Sequence, residues 1–254
     1  MYFQLNDATA DMLAKSRRRG DLCDLPLNLI TSEEEAYYIQ STAQDALGFE
    51  RKGYALVGTS EASRRTLGLD KPIYSEIPAF ALLAGVQQFR LPAGAIGAQC
   101  EFVFTMLRPF PDEGEPITLE SAAASILGCR PAIGIIGRRS RHIYSGDHAA
   151  IADFGLHVAT ICGEYYAAAD DLTDIDLTAF LFKRTVVSGN SSSVMGNPLS
   201  ALVWLAKELR ATGKRLEAND VVATGSCTTI LQVLPGQHLA ADFGPLGQVE
   251  CVFS

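Results

Sequence analysis

The chain has 254 residues, 48% hydrophobic and 20% charged, with 22 Gly and 11 Pro, which is enough to bury one sizeable core and too apolar for disorder. Twenty-nine acidic against 21 basic residues leave a net charge of −8, which repels phosphate backbones and anionic lipid, so neither nucleic acid nor a membrane is an expected partner. The longest apolar run, residues 77–86, falls well short of the roughly 20 residues of a spanning helix. Near the N-terminus, Asp7, Asp11 and an Arg17-Arg18-Arg19 run reverse the order of a secretory signal, and a cytoplasmic location is expected. Six cysteines, Cys23, Cys100, Cys129, Cys162, Cys227 and Cys251, form no C-x-x-C pair and read as buried free thiols.

With no internal repeat, the chain reads as one folding unit: a helical part over 1–80, then a strand-rich part over 81–254. Asn6 is expected to cap a first helix that carries Ala10, Met12 and Leu13 and stops at Gly20. Ser32-x-x-Glu35 forms a capping box for a second. A third helix is expected over 60–67, with Gly68 as its stop. Runs rich in β-branched and aromatic residues predict strands over 101–107, 132–136, 156–162, 177–182 and 220–224. A late helix has Asn197 as cap and Pro198 first. Leu199, Leu202, Val203, Leu205, Ala206 and Leu209 share one face before Gly213. Strands without regular helical crossovers imply an α+β architecture, not a doubly wound sheet.

No P-loop, Rossmann G-x-G-x-x-G or G-x-S-x-G is present. The four histidines (His142, His148, His157, His238) show no H-x-x-x-H pairing. His157, inside a predicted strand, reads as a hydrogen-bonded structural histidine in preference to a metal ligand, and zinc is not expected. The basic run 138–142 follows a strand through Gly137. It is either a solvated face or a guanidinium fork, Arg139 foremost, for a carboxylate. The loop 224–229, with Thr224, Ser226, Thr228 and Thr229, is either an anion cradle or an ordinary turn.

The segments VMGNPLSALVWLA (194–206), NDVVATGS (219–226) and ADFGPLGQV (241–249) closely resemble the 2-keto-4-pentenoate hydratase family of the fumarylacetoacetate hydrolase superfamily. AYYIQ (36–40), Gly53-Tyr54 with Thr59-Ser60, LGLD (67–70) with Pro72, Phe102-Val103 and Pro131-Ala-Ile133 follow in that family's order. The resemblance covers nearly the whole chain. It implies a mixed, rolled β-sheet with flanking helices, a homo-oligomer, and hydration of 2-hydroxy-2,4-dienoates or decarboxylation of related 2-oxo acids. It also implies Mg²⁺ or Mn²⁺, which chelates the substrate's carboxylate and 2-oxo oxygen.

The departures from the resemblance carry chemistry. The family's E-x-E metal ligands, which share a strand face, fall on Gly97-Ala98-Gln99, and its third carboxylate falls on Gly134. The lysine expected after Gly-aromatic is Ala55, the aspartate after the Leu-Asp-x-Pro segment is Ile73, and the small polar residue near Asp153 is Phe154. Two hydrogens and an amide give a hard divalent ion no reason to stay, so neither a metal site nor any other cofactor is expected. The substitutions predict a roomier, more apolar cavity. Glu101 stands where the family has a small residue and shares strand parity with Gln99. It is either a general acid or base with a desolvation-raised pKa, or a sheet-edge glutamate reaching solvent.

The leading expectation is a repurposed, metal-independent lyase-like enzyme for a small oxo or enol substrate. Gln99 and Glu101 would be catalytic, and Arg139, Thr59, Ser60, Ser226, Thr228, Phe154, Ile73 and Ala55 would contact substrate. The alternatives are a conventional 2-hydroxypenta-2,4-dienoate hydratase and a non-catalytic partner in a hetero-complex with an intact hydratase or decarboxylase.

Overall fold

In the computed structural model, which describes residues 2–85, 87–167 and 172–254, the chain opens with α1 (Tyr2–Arg19) and α2 (Glu33–Leu47). Val86, the end of the apolar run, lies outside the described residues. Ser32 caps α2 by accepting from the Glu35 N–H, and Gly48 ends it at φ 69°, a left-handed turn that glycine makes without a Cβ penalty. Asn6 is not a cap, because α1 already runs through it. An asparagine inside a helix costs only a fraction of a kcal/mol, so its local preference does not set the boundary.

The part over 1–80, expected as helical, holds α1, α2 and α3 (Glu61–Leu67) but also β1 (Arg51–Val57) and β2 (Ile73–Pro78), which flank α3. Both strands are buried on two faces, so their sequences lack the alternation that marks a half-exposed strand. Then come β3 (Leu82–Ala84), β4 (Gln87–Phe89), β5 (Ala95–Met106), α4 (Leu119–Ala124), β6 (Ile126–Gly137) and α5 (Asp147–Ala152). β7 (His157–Cys162), β8 (Tyr166–Ala167), the hairpin β9 (Asp176–Leu181) and β10 (Arg184–Asn190), and α6 (Pro198–Ala211) follow. β11 (Val221–Ala223), β12 (His238–Asp242) and β13 (Gln248–Phe253) complete the chain.

Two mixed sheets organise these elements. The larger runs β2-β1-β11-β5-β6-β7-β3, with β8 also on β6, and the smaller runs β10-β9-β12-β13-β4. β1 lies parallel to β11, which joins the N-terminal part to the C-terminal third, while β5, β6 and β7 are antiparallel neighbours. Along β5, Ala98, Cys100, Phe102 and Phe104 turn into the main core, where they meet Leu202 and Leu205 of α6 and Leu239 and Phe253 of the second sheet. Gln99, Glu101 and Val103 therefore point to the opposite face. That face carries the small side chains Ala55, Ala132, Cys162 and Ala223. A separate apolar cluster from α1, α2 and α5, with Ile73 and Phe154, lies beside it. Among the described residues no helix is long and apolar enough to cross a membrane.

Candidate functional site

Strand register brings the central groups together. Gln99 on β5 stands opposite Gly134 on β6, which stands opposite Thr160 on β7, while Glu101 lies opposite Ala132. Glu101 is 1% exposed, so the sheet-edge alternative does not hold. Its Oε2 accepts from Gln99 Nε2 at 3.1 Å and from the Gly225 N–H at 3.2 Å, and the Thr160 hydroxyl also donates to the carboxyl. Burial outweighs these donors and pushes its pKa up to about 8, because desolvation penalises the charged form.

A Cβ on Gly134 would sit 2.8 Å from Glu101 Cδ and 3.1 Å from Gln99 Cγ. The expectation of added room at that position is thus corrected: the carboxyl of Glu101 fills the space that glycine leaves. At Gly97 a Cβ would run into the Leu231 carbonyl and lie 2.8 Å from Ile230 Cγ2. Leu231 pairs there with Ala98 through two 2.8 Å backbone hydrogen bonds. Residues 97 and 134 therefore cannot regain side chains without displacing a neighbour. The divalent ion implied by the resemblance does not fit this donor set: one amide and one carboxyl that burial keeps protonated at neutral pH cannot replace carboxylate charge. Among the described residues no three His, Cys, Asp or Glu side chains gather as a metal site.

Thr160 continues the polar chain. His157 Nε2 lies 3.1 Å from Thr160 Oγ1, and His157 Nδ1 lies 3.2 Å from Arg17 Nη2 on α1. Burial, reinforced by the charges of Arg17 and Arg139, drives the His157 pKa well below its ordinary value and keeps the ring neutral. Arg17 can only donate, so Nδ1 accepts and the ring proton sits on Nε2, facing the Thr160 oxygen. The Thr160 proton is then left for Glu101. His157 is accordingly a hydrogen-bonded structural histidine, with both ring nitrogens in use.

The remaining expected contacts divide. Arg139 is not a free fork: its guanidinium donates to the carbonyls of Gly137 (2.9 Å) and His157 and to the carboxylate of Asp153 (3.4 Å). Asp153 also accepts from the Arg139 N–H at 2.6 Å and from Tyr144. A guanidinium buried at a strand end needs a counter-charge within the fold, which overrides any outward role. In the loop 224–229, Ser226 donates to the Thr228 carbonyl, while Thr224 and Thr228 accept from backbone N–H groups of β5. These hydroxyls stitch the loop to the sheet. The cradle that remains is the Gly225 N–H, and it holds the protein's own Glu101. Ser60 caps α3.

Phe154 lies with Gly155 and Leu156 in three consecutive left-handed conformations (φ 53°, 56° and 63°), and Arg17 stacks on its ring at 4.3 Å. Phe154 and Ile73 are packed core residues, and Ala55 is 3% exposed, so they do not line an open cavity. Thr59 sits against Gly225. Among the described residues, Gln99 Oε1, Thr59 Oγ1 and Ser75 Oγ are buried here without a partner. Each is an unmet demand that a ligand or water oxygen would satisfy. Sequence reasoning missed Thr160 and Arg17 as members of the site, whereas Gly225 lies in the loop 224–229 that it did single out. Of these two, Thr160 carried a signal, since it lies three residues after His157 in the same predicted strand.

Comparison with known proteins agrees with this fold. No family model matches the chain. It is 27% identical, over 96% of its length and 94% of the relative's, to a "TodF product hydratase" of Pseudomonas putida. It is 28% identical to a 2-keto-4-pentenoate hydratase of Burkholderia vietnamiensis, over 86% of this chain and 85% of the relative. The solved structure of a 4-oxalocrotonate decarboxylase from Pseudomonas putida, complexed with magnesium and adipate, superposes with a TM-score of 0.89 at 20% identity, covering 100% of this chain and 99% of that one. The fold is that of the fumarylacetoacetate hydrolase superfamily. Over most of its length, the chain is similar to these hydratases.

Proposed function

We propose that this hydratase-family chain is a lyase-like enzyme for a small, partly hydrophobic oxo or enol acid. It would work without a divalent ion at positions 97, 99 and 134, with Glu101 as the proton-transfer group. The observation that supports this most directly is the Glu101 carboxyl itself, which fills the place of a side chain at Gly134 and is ringed by three donors. A carboxyl with a pKa of about 8 is protonated at pH 7 and can act as a general acid. It passes its proton to the carbon of a substrate enolate, giving the oxo acid, and Gly225, Gln99 and Thr160 then stabilise the carboxylate that remains. Gln99 orients the acid, and its unpaired Oε1 is an acceptor for a substrate hydroxyl.

A second reading, a non-catalytic subunit beside an intact hydratase, is favoured by the enclosure of Glu101 and by Leu231 closing over Gly97. Metal analysis paired with an assay on 2-hydroxypenta-2,4-dienoate, with chelator or with Mg²⁺, separates the readings. The proposal expects metal-free protein and turnover that neither addition changes. Activity abolished by chelator and restored by Mg²⁺ would overturn it in favour of a conventional hydratase. No turnover together with a stable hetero-complex on co-purification would overturn it in favour of the subunit.

A further inference from the structure

A cleft of about 510 Å³ lies between the C-terminal end of α1, residues 80–81 and 89–93, and the end of β6. Arg17, Arg18, Arg19, Arg90, Arg138 and Arg139 line it, against one acidic residue, Asp21. In a chain of net charge −8 this is a local reversal of sign, and low-dielectric walls focus such a field. Some of these charges already have partners: Arg18 donates to the Ala46 and Leu47 carbonyls at the end of α2, and Arg139 is held by Asp153. Arg19, Arg90 and Arg138 make no side-chain hydrogen bond or ion pair among the described residues.

Arg17 shows the largest unmet demand. It is 9% exposed, bound to His157 through Nη2 and stacked on Phe154, yet its Nε and Nη1 are buried with no partner. A guanidinium keeps its proton under physiological conditions, and buried charges are ordinarily paired. Burial and the neighbouring Arg139 both act against the charge of Arg17, and the carboxylate that favours it, Asp153, is already engaged by Arg139 and Tyr144. Around these donors, Phe80, Phe89, Leu91 and Val158 supply apolar wall.

We propose that this cleft binds the oxyanion of a small organic acid, with Arg17 as the buried anchor, Arg90 and Arg138 supplying charge at the rim, and the apolar wall taking a short carbon chain. The proposal stands whether or not Glu101 moves a proton. Its geometry also gives it an internal reporter, because an anion on Arg17 perturbs the hydrogen bond to His157 Nδ1.

Calorimetric titration of the full chain with succinate and, separately, with inorganic phosphate tests the proposal, alongside ¹⁵N spectra of the His157 ring. Saturable binding is expected, weakening with salt and by about 10-fold in Arg90→Ala or Arg138→Ala, as loss of a charged contact implies. The His157 signals should move with occupancy. Arg17→Met should abolish binding, and the rim variants carry the test if that substitution unfolds the protein. Binding of succinate but not phosphate assigns a carboxylate ligand, and the reverse assigns a phosphate. No saturable binding of either anion, or binding unchanged in both rim variants with His157 silent, overturns the proposal.

Discussion

Asp153→Ala will destabilise the protein by about 3–5 kcal/mol, the cost of removing one partner from a buried ion pair. Asp153 and Arg139 are both inside the fold, with side chains 0% and 5% exposed. The aspartate accepts from the Arg139 backbone and from Tyr144 as well as from the guanidinium. Removing it leaves Arg139 uncompensated and takes away the one carboxylate that supports the charge of Arg17. Urea unfolding monitored by far-UV circular dichroism measures the loss as a lower midpoint at unchanged slope. Asp153→Asn retains part of the hydrogen bonding and should fall between wild type and alanine. An exposed control, Glu61→Ala, removes the partner of Arg65 in a pair 78% and 77% exposed and should cost under about 1 kcal/mol. Equal effects at the two sites would show that Asp153 does not act as a counter-ion.

Glu101→Gln will lower turnover by about 10²–10⁴-fold, the range that general acid–base catalysis supplies. Its effect on stability should run the other way. With a folded pKa near 8 against an ordinary 4.5, Glu101 binds more protons in the folded chain than in the unfolded one. Its contribution to stability is therefore fully present below pH 4.5 and is lost as pH rises to about 8, at about 1.4 kcal/mol per pH unit within that window. The amide variant does not titrate, so its advantage over wild type should grow from pH 5 to pH 8. Denaturation midpoints at the two pH values, measured beside turnover, separate the roles: activity lost while stability at pH 8 rises marks a proton donor. If both fall together, Glu101 is structural.

Much of this was legible in advance, for physical reasons that differ by element. α2 and α6 announce themselves because a capping box and an Asn-Pro start are local signals that the backbone obeys locally. β1 and β2 do not, because strands buried on both faces lose their alternation. The shared face of Gln99 and Glu101 follows from strand parity alone. What lies across from that face depends on the register with β6 and β7, which no local pattern encodes. The same limit explains Arg139: the run RRSRH (138–142) reads as a positive patch, and only the fold shows that its second arginine turns inward to Asp153 while Arg138 lines the cleft. Arg17 gave even less warning, since a helix-terminal arginine run reads as solvent-facing until His157 and Phe154 are placed beneath it.

The contact between Glu101 and Gly134 also has a consequence for descent. The two positions lie 33 apart in sequence yet compete for one volume, so a long side chain at either forbids one at the other. They should vary as a pair among relatives, with a carboxylate at the position of 134 accompanied by a small residue at that of 101, and glycine at 134 wherever 101 is long. A lineage could exchange one arrangement for the other only through an intermediate small at both sites. Such an intermediate would have lost the old acid before gaining the new one.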